Sequence, residues 1–188
     1  MEKKNQLTIF GIMLILIIVN FLGCTEQTST EKLVTAPLNT LVFTVDEIPT
    51  GFSEAFNSSN PTIGFSIESY TIVFYRNHSL NQTEMISIQL NKFNSTEFSK
   101  KGYNGSIELI TGPFTENWKL INDSIGKIGD ESAAFSISSV NHNENNVTII
   151  SYKILFRISN VVCQTSFEIV DYNYSSAFEL TKIIEQKI

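Results

Sequence analysis

Two stretches near the C-terminus constrain the fold more than any other part of the chain. Ile150, Tyr152, Ile154, Phe156 and Ile158 recur at every second position, with Ser151, Lys153, Leu155 and Arg157 between them. After Ser159 and Asn160 the pattern resumes: Val161, Cys163, Thr165, Phe167 and Ile169 alternate with Val162, Gln164, Ser166 and Glu168. Successive side chains of an extended chain leave opposite faces, so each stretch is a strand with one apolar face. Two intervening residues leave room only for a tight hairpin, and Asn160 is the residue expected to take the positive φ. A lone hairpin is marginal in water, so this pair requires further strands and a covering layer.

The rest of the chain supplies both. Tyr70 to Arg76 and Met85 to Phe93 form a second hairpin, with Ile86, Ile88 and Leu90 facing one way and Ser87, Gln89 and Asn91 the other. That alternation fits a sheet with one face on a core. Leu41, Phe43 and Val45 alternate with Val42 and Thr44 before the turn at Pro49-Thr50-Gly51, which predicts a first strand ending near Asp46 and a loop over 51–60. Ala177, Leu180, Ile184 and Ile188 repeat at helical spacing beside Ile183, behind a Ser176/Glu179 capping box, and predict a closing helix. A second helix starts near Ser95, capped by Asn94, and heads towards Ile110; Gly102 and Gly105 cost it about 1 kcal/mol each, so its second half reads equally as a loop. The fold class is α+β, an antiparallel sheet with helices packed on it.

The N-terminus carries a different message. Lys3 and Lys4 precede an apolar run from Ile9 to Val19, and Phe21-Leu22-Gly23-Cys24 leads into a polar stretch. A charged start, an apolar middle and a small residue before the cut describe an export signal. The expected organisation is a lipoprotein-type signal over 1–23, a linker over 24–37 behind a lipidated Cys24, and one globular domain over 38–188. An uncleaved anchor helix over Leu7 to Gly23 is the competing reading, at the short end of what spans a bilayer. Both place the remainder outside the cell, because Lys3 and Lys4 stay inside.

Removing residues 1–23 leaves 165 residues, enough for one domain, with 11 basic and 18 acidic side chains and a formal charge of −7. That sign argues against nucleic acid as a partner. With Cys24 acylated, Cys163 has no partner for a disulfide. Eight Asn-x-Ser/Thr triplets begin at Asn57, Asn77, Asn81, Asn94, Asn104, Asn122, Asn146 and Asn173. Composition alone accounts for fewer than half as many, so a glycosylated surface is expected beside the plainer reading of an Asn/Ser/Thr-rich composition. Combined with the lipobox-like signal, the triplets point to an archaeal cell surface.

The Pro-Thr-Gly-Phe corner after Leu41, the middle helix, Ile128-Gly129-Asp130-Glu131-Ser132, Phe156-Arg157-Ile158-Ser159-Asn160-Val161-Val162 and the closing helix together resemble archaeal PsbP-like surface proteins over residues 38–188. The resemblance implies an α/β/α sandwich and a noncatalytic assembly or binding role, and it brings no catalytic residues.

Candidate chemistry is sparse. Asp130-Glu131 and Asp46-Glu47 each offer two carboxylates, but a turn and a solvated strand end account for them without a metal. His78 and His142 sit in Asn-rich loops with no second ligand at metal spacing. Cys163 falls in an apolar row, where a thiol is inert. No nucleophile elbow, phosphate loop or zinc-protease helix is present, so neither a cofactor nor a metal is expected. Phe52, Phe56 and Phe114, set among polar residues, are the candidate contacts. The expected role is a membrane-anchored binding or accessory module; a structural envelope glycoprotein and an extracellular hydrolase are the alternatives.

Overall fold

The computed structural model describes residues 32–60, 65–79, 82–113, 117–121, 126–141, 147–170 and 173–188. Their strands are β1 (Ser53–Asn60), β2 (Ser66–Ser79), β3 (Gln82–Phe93), β4 (Lys119–Leu120), β5 (Glu131–Asn141), β6 (Val147–Ile158) and β7 (Val161–Glu168). All pair antiparallel in one sheet of order β1-β2-β3-β7-β6-β5-β4. The chain leaves β3 for the far edge and returns strand by strand, so β7 closes the centre, with Ile88 opposite Thr165 and Leu90 opposite Cys163. Helix α1 (Thr96–Thr111) lies on one face and α2 (Tyr174–Lys187) on the other, which makes the expected α+β sandwich.

The two apolar rows read from the sequence meet on the α2 face. Ile86, Ile88, Leu90, Ile154, Phe156, Cys163 and Phe167 are buried there against Ala177, Leu180 and Ile184. Within that layer the Thr165 and Thr181 hydroxyls bond each other at 2.9 Å, so neither buried hydroxyl is left unpaired. The α1 face has a much smaller apolar centre, Phe93, Tyr103, Leu155 and Val162, with Phe98 and Ile107 packed against it.

Several local expectations are corrected. Leu41 to Asp46 is not a strand: one single-turn 3-10 helix, Leu38–Thr40, precedes it, a second, Val45–Glu47, takes up its end, and Leu41, Val42 and Phe43 are buried one after another. Three consecutive buried residues plug a core and have no period of two. The first strand is instead β1, within the segment expected as a loop; it is an edge strand with little burial, so its sequence carries no apolar alternation. Ser95, not Asn94, caps α1, accepting the Phe98 N–H, and α1 runs unbroken to Thr111. Gly102 is needed there because a Cβ would collide with the Phe93 ring. Asn173 caps α2 by accepting the Ser176 N–H at 2.9 Å, so the helix starts before the Ser176 expected as its cap. In the β6–β7 turn Ser159 takes the positive φ of 52°. The buried Asn160 side chain accepts the Val34 N–H and donates to the Phe93 carbonyl.

The compact unit extends from Lys32 to Ile188. Residues 32–37, assigned by sequence to the linker, are stitched to it: the Ser159 hydroxyl donates to the Lys32 carbonyl and the Lys92 ammonium to the Ala36 carbonyl.

Candidate functional site

The motif residues that looked chemical are structural. Arg157 bonds Glu131 through Nε at 2.8 Å and Asp130 through Nη1 at 3.1 Å, while Asp130 also accepts the Ser159 N–H. The two carboxylates therefore neutralise one guanidinium and lock the start of β5 to the β6–β7 hairpin. Gly129 makes this junction with φ of 63°, where any Cβ would stand 2.5 Å from the Arg157 carbonyl oxygen. Glu47 is likewise engaged, by Lys187 and by the Thr44 N–H; burial opposes its ionisation, but these bonds win and lower its pKa. Cys163 is completely buried and desolvation pushes its thiol up, so it stays protonated. Burial, aided by the Glu131 charge, pushes Tyr103 up to about 12 against the opposing pull of Arg157, so it is a neutral phenol. Among the described residues no group of three His, Cys, Asp or Glu side chains converges as a metal site. His142 lies outside the described residues, as does the side chain of His78.

The three candidate contact residues separate. Phe52, expected to be exposed, is buried under the Arg76 guanidinium, 4.7 Å from its ring centre, and belongs to the core. Its corner is held by Arg76, which also donates to the Thr50 carbonyl and pairs with the buried Glu84. Phe56 is half exposed on β1. Phe114 lies outside the described residues.

A cleft forms where α1 leaves its face of the sheet uncovered. Its floor is Gln89 and Asn91 of β3, Val162 and Gln164 of β7, and Lys153 and Leu155 of β6. Ser106, Leu109 and Ile110 of α1 form one wall and Trp118 closes the end, enclosing about 520 Å³. Gln89 and Gln164 stand directly opposite each other in the β3–β7 ladder, and Ser87 stands opposite Ser166. The Lys153 ammonium sits 4.2 Å from the centre of the Trp118 ring, a cation–π contact. The amides of Gln89, Asn91 and Gln164 and the Lys153 ammonium set polar groups in a fixed array, between the apolar walls of Leu109, Ile110 and Trp118. Register carries the polar strip on to Val73 and then Phe56, which share this face. The sequence marks Gln89 and Gln164 as outward-facing, but nothing in it says that their strands are neighbours.

Taken together, the described residues define a helix–sheet–helix module whose second face is only partly covered. No known family profile matches the chain, and no curated protein matches it. Among solved structures, the extracellular domain of PknH from Mycobacterium tuberculosis has the same fold, with a TM-score of 0.62 over 84% of this chain and 98% of that domain. The two are 6% identical, so the likeness is one of fold. The observed layering, helices on both faces of one antiparallel sheet, is the arrangement that the PsbP-like resemblance implies.

Proposed function

We propose that the chain is an extracytoplasmic, noncatalytic binding or accessory module, tethered to the membrane by its N-terminus, with the cleft beside α1 as its contact site. The observation that carries this reading is the cleft floor: the neutral amides of Gln89, Asn91 and Gln164 occupy sheet positions beside the small apolar centre, in front of a wall that is partly apolar. Binding sites commonly combine an apolar surround with a few placed polar groups. The fold shared with an extracellular domain supports the location, as does the export signal ending at Cys24. Five of the eight Asn-x-Ser/Thr asparagines lie among the described residues, and Asn57, Asn77, Asn94, Asn104 and Asn173 are all exposed, as glycan attachment requires. Phe56 is retained as an outlying contact and Phe52 is withdrawn.

The test is a thermal-shift screen of oligosaccharides, short peptides and small polar metabolites, repeated on Gln89→Ala and Gln164→Ala. A ligand of the cleft raises the Tm of the parent protein and loses that effect in both variants, whose own Tm stays unchanged. Ligands that stabilise parent and variants alike would remove the cleft from consideration, and turnover of any of them would favour the hydrolase alternative.

A further inference from the structure

The end of the domain at which the described residues begin carries an exposed apolar patch. Lys32, the first described residue, is fixed there by the Ser159 hydroxyl, and Val34 by Asn160. Ser159 in turn accepts a bond from Ser99 in the first turns of α1, and the neighbouring Phe98 ring stacks on Phe65 at 5.8 Å between centres. Ser66 pairs with Phe93, whose N–H is bonded to the Asn160 carbonyl. This chain of contacts puts Leu33, Phe65, Ile67 and Phe98 around one end of the sheet. Phe65 is 77% exposed, Ile67 47% and Leu33 37%. Lys100 and Lys101 stand exposed on the adjoining turn of α1.

We propose that this end docks onto the lipid surface, with Phe65 and Ile67 entering the interfacial layer. The inference rests on the reading that Cys24 or the segment before it is held in the membrane. Only residues 25–31 then separate the anchor from Lys32, so even a fully extended tether holds this end within about 30 Å of the bilayer. Such confinement raises the local concentration of lipid enough for a small apolar patch to dock. Aromatic and aliphatic side chains favour the interface, and each buried one adds to the hold. With a formal charge of −7 after signal removal, attraction to anionic headgroups is not the driving force, so docking is insensitive to salt. The bilayer is favoured over a protein partner because the patch surrounds the point where the tether is fixed.

The experiment uses the full chain from its host membranes, reconstituted in phosphatidylcholine vesicles that carry a lipid-borne quencher. Fluorophores are placed on Glu97→Cys, beside the patch, or on Thr83→Cys, at the other end of β3; Cys163 is buried and does not react. Strong quenching at position 97 and weak quenching at position 83, unchanged by salt, is the expected result. Adding Phe65→Ser and Ile67→Ser should lower the docked-to-undocked ratio by about tenfold or more, the scale for withdrawing apolar side chains from water, without lowering the Tm. Equal quenching at both positions, or quenching that survives the double substitution, overturns the proposal. Transfer between labels on separate molecules that rises with protein density, with no lipid quenching, shows a second copy covering the patch and also overturns it. Flotation reports the tether separately: protein that floats with equal quenching refutes docking alone, whereas protein that does not float refutes the tether and docking together.

Discussion

On the α2 face of the sheet, Phe74, Ile86, Ile88, Leu90, Ile154, Phe156 and Phe167 are buried in a continuous core, which the segment from Leu38 to Phe52 extends. On the α1 face the same strands present Val73, Ser87, Gln89, Lys153, Gln164 and Ser166, and α1 covers only a small apolar centre. The difference separates two jobs. One face supplies the packing that keeps the domain folded, so the other carries polar groups whose identity stability does not dictate. The largest effect that tests this division is at Phe167: Phe167→Ala should destabilise by about 3–5 kcal/mol in urea unfolding, the range for deleting a fully buried aromatic ring. Gln164→Ala, on the same strand but facing α1, should change stability by less than about 0.5 kcal/mol. Similar losses at both would show that the α1 face is also part of the core.

How much of this was legible depended on the side of the sheet. Strands β3, β6 and β7 were readable because burial on one face imposes alternation, and Ile86, Ile88 and Leu90 lie where their spacing placed them. Strand β1 was not, since an edge strand held by its backbone ladder to β2 leaves no apolar signature in Ser53 to Asn60. Leu41, Val42 and Phe43 misled for the opposite reason: all three are buried, and a run of buried residues in a plug mimics half of a strand pattern. The cleft was least legible of all. Gln89 and Gln164 meet only because β7 inserts beside β3, a pairing that neither segment announces.

Two glycines sharpen the comparison at intermediate size. Gly129 joins the core side to the β6–β7 hairpin at positive φ, with no room for a methyl group, so Gly129→Ala should cost about 1–3 kcal/mol. Gly105 lies on α1, and a Cβ there meets nothing within 4 Å. Gly105→Ala should therefore stabilise by about 0.5–1 kcal/mol, the ordinary gain of Ala over Gly within a helix. A loss at Gly105 instead would mean that α1 is pressed more tightly against its surroundings than the α1 face implies.

The smallest effect compares two ion pairs, one on each side. Burial opposes ionisation of Glu68, but Lys92 and the Leu38 N–H outweigh it and lower its pKa, tying the N-terminal strap to the core face. Glu97 is also lowered, by its bond to Lys101, but that pair is exposed on α1. A carboxylate with a depressed folded-state pKa adds stability above its unfolded value of 4.5, and the contribution is lost as pH falls through the folded value. Acid unfolding of the parent should therefore steepen below about pH 4.5, and Glu68→Gln should flatten that limb. Glu97→Gln should leave the limb unchanged, because an exposed pair in water and salt contributes little. Equal flattening in both would mean that exposure does not separate the two pairs, and that α1 depends on its surface charges more than its packing suggests.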